Sequence, residues 1–431
     1  MSTETSDPAE ASVGPAASPF VGDAIIGRPQ RWYFLPALVL AWFGGGITNG
    51  AIVGASLPKL LALIDEGAKE ANLAIISMVG GVVILVTTPL FGRLSDRTRA
   101  RMGMRKPWYL GGIVTGTLGC VVMAVSANIP VLALGWVIVQ LGYGAVAMAN
   151  HTLLADQVPG RIRARVSAAV GVSSGIATVA ASAIVAALPI EQSWTWFVVP
   201  AAIGLVTVLP VTVAYQDAVR SAPAPRLGGR DILSTYWISP RAHPDFAWAW
   251  VSRFFMTMSI FTIALFLFYL IMDTLHLSAA EVGGVQTAAL SFFFLGNIVA
   301  TVFFGWLSDR LGRRKIIIWV SGLASAGGVV ALMFSADTTG FFVAMIILGF
   351  AGGAYSAVDV ALMTEVLPSR DDAGKDLGIV ALSYLLPQII SPLIGAGLVT
   401  LGGGSYGPLY VFSMICSAVA GLTIIPVRGV R

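Results

Sequence analysis

The chain has 431 residues, 56% of them apolar and 11% charged, with a formal net charge of +4 and a mean hydropathy of +0.83. A soluble globular domain carries roughly 25% charged residues, so the composition excludes that class and describes an integral membrane protein. The cations cluster where apolar runs end, so the positive balance reports a membrane face bearing anionic lipids and not a nucleic-acid surface.

Residues 1–27 are rich in Ser, Ala, Pro and acidic side chains and lack the apolar core of a signal peptide, which predicts a disordered cytoplasmic tail. A helix crosses the hydrocarbon in about 20 residues. The charge-free runs 32–58, 71–92, 166–190, 192–216, 282–308, 316–336 and 338–358 are each long enough to do so. Runs 107–155 and 377–427 are about twice that length and are broken by Asn128-Ile129-Pro130 and by the Gly-rich stretch 402–408. Each reads as a helical hairpin. Adding 246–272, interrupted by Arg253 alone, gives twelve spans. The fold expected is all-α, with twelve transmembrane helices.

With the N-terminus inside, 23 of the 26 Lys and Arg fall in the tails or in the loops after even-numbered spans. Lys59 and Lys69 fall outside, and Arg253 lies within a span. This bias predicts a multi-pass protein of the plasma membrane with both termini in the cytoplasm. Cys120 and Cys416 occupy spans in different halves, which reads as two buried, inert thiols.

The stretch Gly92-Arg93-Leu94-Ser95-Asp96-Arg97, continuing to Gly103-Met104-Arg105-Lys106-Pro107-Trp108, holds six of the 26 basic residues. An abbreviated copy, Gly305 to Lys315, returns 213 residues later, and Ala361 to Pro368 repeats Thr152 to Pro159 at an offset of 209. Two repeats in nearly one register mark a duplicated chain. The polar segment 217–245, with four Pro and four Arg, reads as a linker between bundles at 28–216 and 246–431. The copied loop, G-x-L-S-D-R-x-G-R-R/K, resembles the signature between the second and third helices of the major facilitator superfamily. Its first version, S-D-R…G-x-R-K-P-W, resembles that of sucrose-proton symporters and the related glycoside carriers. So does the L-L-A-D sequence at Leu153 to Asp156, although His151 stands where those relatives have an arginine. The resemblance implies two pseudo-symmetric six-helix bundles, alternating access, and a cavity lined by spans 1, 4, 7 and 10.

Candidate binding and coupling residues follow from polarity inside those spans. Trp42 and Asn49 share one face of span 1, and Gln140, Asn150 and His151 lie on span 4. Arg253 in span 7 and Asp359 in span 10 carry charge at similar depth, and such residues mark a pathway or a partner. The 209 offset makes Asp359 the counterpart of Asn150. Tyr355, Tyr384 and Gln388 follow the same polar-face logic. Asp96, Arg97, Asp156, Asp309, Arg310 and Glu365 sit at inner helix ends near dense arginines, and the resemblance implies a cytoplasmic gate there.

Other chemistries are missing from the sequence. There is no phosphate-binding G-x-x-x-x-G-K-[ST] loop, no nucleophile elbow, and no metal-ligand spacing among His151, His243 and His276. Span 5 lacks the G-P-x-x-G-G of drug-proton antiporters, and span 2 has no acidic residue for a melibiose-type sodium site. The expectation is a non-enzymatic secondary transporter with no cofactor, no metal and no obligatory protein partner. Its partners would be a small-molecule substrate, the lipid bilayer and, as a coupling ion, the proton. Sugar or glycoside uptake leads; export of an amphipathic metabolite or drug comes second, and a non-transporting receptor or scaffold third.

Overall fold

The computed structural model describes residues 31–217, 241–366 and 373–427. The tail expected at 1–27 and most of the linker lie outside them. Among the described residues twelve helices follow in order: α1 Phe34–Ile64, α2 Lys69–Arg97, α3 Lys106–Ala124, α4 Ile129–Gln157, α5 Gly160–Ala187, α6 Thr195–Ala214, α7 Pro244–Thr274, α8 Val282–Leu311, α9 Arg314–Met333, α10 Thr338–Glu365, α11 Ala373–Leu401 and α12 Gly407–Thr423. Eleven are long and apolar enough to span a membrane, and α12 is shorter at 17 residues. Helices suit these sequences because hydrocarbon supplies no partner for backbone N–H and C=O groups, so each must be paired within the chain.

The helix ends follow local chemistry. Asn128 and Asp337, 209 residues apart in sequence, cap α4 and α10 by accepting from the backbone N–H of Val131 and Gly340 at 3.0 and 2.7 Å. Proline in the first turn of α3, α4, α7 and α12 needs no N–H partner there. The Gly-rich break before α12 turns through Gly403 and Gly404, both at positive φ. One boundary differs from expectation: α1 continues past Pro58 and Lys59 to Ile64, through a π-helical turn at Ile52–Ser56. Lys59 is buried with its ammonium 4.2 Å from the centre of the Trp196 ring, and this aromatic face shelters the cation inside the helix.

Packing repeats with the sequence. In the first bundle α1 packs on α5 and α6, α2 on α4, and α3 on α4 and α6; in the second, α7 packs on α11 and α12, α8 on α10, and α9 on α10 and α12. Each contact maps onto its counterpart six helices later. The α3–α4 crossing needs glycine, since a Cβ on Gly142 would lie 2.1 Å from the backbone N of Gly116. The bundles meet along two symmetry-related seams, α2 with α11 and α5 with α8. Cys120 and Cys416 are free and buried, one in each bundle.

Candidate transport site and its gates

A cavity of about 430 Å³ lies between the bundles at mid-height. Asn49 from α1, Gln140 from α4, and Tyr384 and Gln388 from α11 line it, and Gln286, Ser77 and Ser391 join them from α8, α2 and α11. Its apolar wall is made by Trp136, Phe261, Leu265 and Leu290. The structure therefore brings Asn49, Gln140 and Gln388 together around one space.

The other candidates sit elsewhere. Trp42 and His151 form an edge-to-face pair, ring centres 4.6 Å apart, closer to the basic helix ends than the cavity. Asn150 is buried and accepts a hydrogen bond from Tyr109 of α3, inside the first bundle. Arg253 and Asp359 meet within the second bundle, Nη1 to Oδ2 at 2.9 Å, and the Tyr355 hydroxyl donates to the other carboxylate oxygen at 2.8 Å. Both members of that pair are mostly buried, with 19% and 10% of their side chains accessible. Arg253 lies eight residues before Phe261 on α7, or about 12 Å of helix at 1.5 Å per residue, and neither member of the ion pair lines the cavity.

At the basic end each bundle holds its carboxylates by its own arginine. Arg105 reaches Asp96 at 2.7 Å, Asp156 at 3.7 Å and Ser95 Oγ at 2.9 Å, tying α2, α3 and α4 together. Asp217, just after α6, accepts from the backbone N–H of Arg105 and Lys106 at 2.6 and 2.8 Å and so caps α3. The preceding turn requires Gly103, which has φ +107 and on which a Cβ would meet Asp217 at 2.2 Å. Tyr215 donates to the same carboxylate, and burial and then Asp217 push its hydroxyl well above the ordinary tyrosine range, so it stays a donor. In the second bundle Arg314 pairs with Glu365, and Lys315 binds the carbonyls of Ile425 and Val427. Arg314 and Lys315 follow Arg105 and Lys106 by 209, whereas Asp309 follows Asp96 by 213, because the second loop is four residues shorter. Arg310 stacks over Trp306, its guanidinium 5.4 Å from the ring centre, and Asp309 has no ion-pair partner among the described residues. Arg97 makes further polar contacts.

The opposite end holds a cluster that sequence reasoning missed. Lys69 of α2 donates to Asp273 of α7 at 2.8 Å, and the Tyr406 hydroxyl, just before α12, sits 2.6 Å from Asp273 and 2.8 Å from Glu70. Tyr269 donates to the Lys69 carbonyl at 3.3 Å. Burial, then the neighbouring Asp273 and Glu70, drive the Tyr406 hydroxyl far above its ordinary range, which keeps it a donor. On the other seam Gln286 donates to the carbonyl of Gly54 at 2.7 Å and Thr287 to Ser182 at 3.0 Å. These bonds join the two bundles. Charges flanking a span read as solvated in isolation; the available signal was the opposite sign of Lys69 and Asp273 at the same end of two spans.

The family model described as Major Facilitator Superfamily matches residues 34–290 and 249–430. An uncharacterized MFS-type transporter of Mycobacterium tuberculosis (strain H37Rv) is 27% identical over 43% of this chain, which spans only 26% of that relative. Multidrug resistance protein MdtG of a Rahnella species is 27% identical over 40% of each chain. The crystal structure of a point mutant of the nucleoside transporter NupG superposes with a TM-score of 0.70 at 12% identity, covering 91% of this chain and 98% of that one, which is a likeness of fold. With two bundles of matched packing and a family match across nearly its whole length, this chain belongs to the Major Facilitator Superfamily.

Proposed function

We propose that the protein is a secondary transporter that carries a small organic solute by alternating access. The observation that carries this reading is a cavity held between two pseudo-symmetric bundles, sealed at one end by hydrogen bonds and an ion pair that cross between them. At the basic end, among the described residues, Arg105 and Arg314 pair with carboxylates of their own bundles. Such an arrangement suits a resting state closed on the far side. The positive-inside bias puts the basic end in the cytoplasm and makes that state inward-facing. Asp96, Arg97, Asp156, Asp309, Arg310 and Glu365 then form the gate that re-pairs when the cytoplasmic end closes.

The finer reading is proton-coupled uptake of a sugar or glycoside. The S-D-R…R-K-P-W loop and the L-L-A-D end of α4 support the substrate class, and the buried Asp359, shared by Arg253 and Tyr355, supports the coupling. A carboxylate between a cation and a hydroxyl donor can give up and regain a proton as its access to water changes. Export of an amphipathic solute is the second reading, favoured by the likeness to a protein named for multidrug resistance.

The test is uptake of 4-nitrophenyl β-D-glucopyranoside into proteoliposomes with an alkaline interior. The wild type should concentrate the glucoside, and Asp359→Asn should retain exchange but lose gradient-driven accumulation, because exchange needs no net proton transfer. Accumulation that ignores the pH gradient, or that survives in Asp359→Asn, contradicts the coupling role.

A further inference from the structure

The cavity lining contains no carboxylate, ammonium, guanidinium or imidazole among the described residues. The Arg253–Asp359 ion pair is displaced toward the basic end, with Arg253 acting electrostatically on Tyr384 of the wall, so the lining itself is uncharged. It is nonetheless polar. The side-chain oxygens of Gln140, Gln286, Ser77 and Ser391 are buried in its wall and have no hydrogen-bond partner among the described residues. Gln140 and Gln286 are 4% and 2% exposed, and Ser391 is 1% exposed. Buried polar atoms are normally paired, and leaving them unpaired is costly. With Trp136 Nε1, five such atoms from α2, α4, α8 and α11 belong to residues that line one space.

Gln286 links this site to the seam. Its amide N–H₂ is committed to the carbonyl of Gly54, which lies in the π-helical turn of α1, and its oxygen is buried without a partner among the described residues. A π turn in a long helix is frequently a functional site.

We infer that this cavity selects an uncharged solute. The solute carries hydrogen-bonding groups on one edge, for the amides of Asn49, Gln140 and Gln388, and a flat apolar face for Phe261 and Leu290. Its volume, about 430 Å³, falls within the range of small-molecule sites. A charged solute would leave water with no counter-charge to meet it, and that desolvation is not repaid. The inference rests on the cavity being the solute site of a transporter and adds the charge state that the site accepts.

The test uses the full-length protein in detergent and three probes, read by thermal stabilisation and equilibrium binding. These are 4-nitrophenyl β-D-glucopyranoside, its carboxylate analogue 4-nitrophenyl β-D-glucuronide, and the apolar cation tetraphenylphosphonium. The glucoside should bind and stabilise, and the two charged probes should bind at least tenfold more weakly. Gln140 makes no hydrogen bond among the described residues, so Gln140→Leu should fold and lose about tenfold in affinity for the glucoside. Ser391→Ala should lose less. Charged probes that bind as well as the glucoside, glucoside affinity unchanged in folded Gln140→Leu, or no glucoside binding at all would overturn the inference. Those results would leave the motion of the bundles untouched, whereas bundles that never open at the far end would defeat the transporter reading and leave the binding selectivity standing.

Discussion

The two bundles follow one packing plan yet treat one position differently. Asn150 on α4 and Asp359 on α10 are related by the 209 repeat. In the first bundle that position is a neutral amide bonded to Tyr109; in the second it is a carboxylate bonded to Tyr355 and paired with Arg253. α1 has no charge between Arg31 and Lys59, so nothing on that helix answers Arg253. A neutral buried hydrogen bond contributes about 1 kcal/mol and does not respond to pH near neutrality. A buried ion pair adds little net stability, but one member without the other is costly. Duplication thus supplied the scaffold, and charge at this position was confined to one copy.

The largest effect should come from breaking the charged copy. Arg253→Met strands the Asp359 carboxylate and should destabilise the protein by about 3–5 kcal/mol, while Arg253→Met with Asp359→Asn should recover much of the loss. Denaturation of the four variants in detergent gives the coupling directly. Simple additivity would mean that the pair is not energetically joined and would erase the contrast between the bundles.

The signature loops offer a second comparison. Gly103→Ala forces a Cβ into Asp217 at a backbone angle of +107°, whereas Gly312→Ala, at φ +60, meets nothing within 4 Å. The second should cost the left-handed strain of about 1–2 kcal/mol, and the first more than that, because φ +107 lies outside the left-handed region, with about 1–3 kcal/mol from overlap added. Equal melting points for the two variants would show that the Asp217 cap on α3 is not needed. The smallest effect is in the neutral copy: Tyr109→Phe should cost about 1 kcal/mol and leave gradient-driven accumulation intact. Loss of accumulation in a folded Tyr109→Phe protein would place coupling in both bundles.

Much of this was legible in the chain. Twelve spans, the duplication and the proximity of Arg253 and Asp359 follow from charge placed on a hydropathy pattern, because bilayer physics leaves few other structures. Asn49, Gln140 and Gln388 could be assigned to the cavity since amides in apolar spans seek a polar space. Asn150 could not, because a periodic pattern gives the face of a helix and not the partner that meets it. The Lys69–Asp273–Tyr406 cluster was illegible for a related reason. Its members come from two helices and the residue before a third, far apart in sequence, and each alone looks like an ordinary solvated end.

If the two bundles rock about the cavity, that cluster is the outer lock. Glu66 and Ala280 are exposed on either side of it and on different bundles. Spin labels at those two positions, in a protein with Cys120→Ala and Cys416→Ala, report the outer opening by pulsed electron resonance in liposomes. The wild type should show a dominant short distance, and Lys69→Met with Asp273→Asn should move the population to a longer one. A single short distance that the double substitution leaves unchanged would contradict the account.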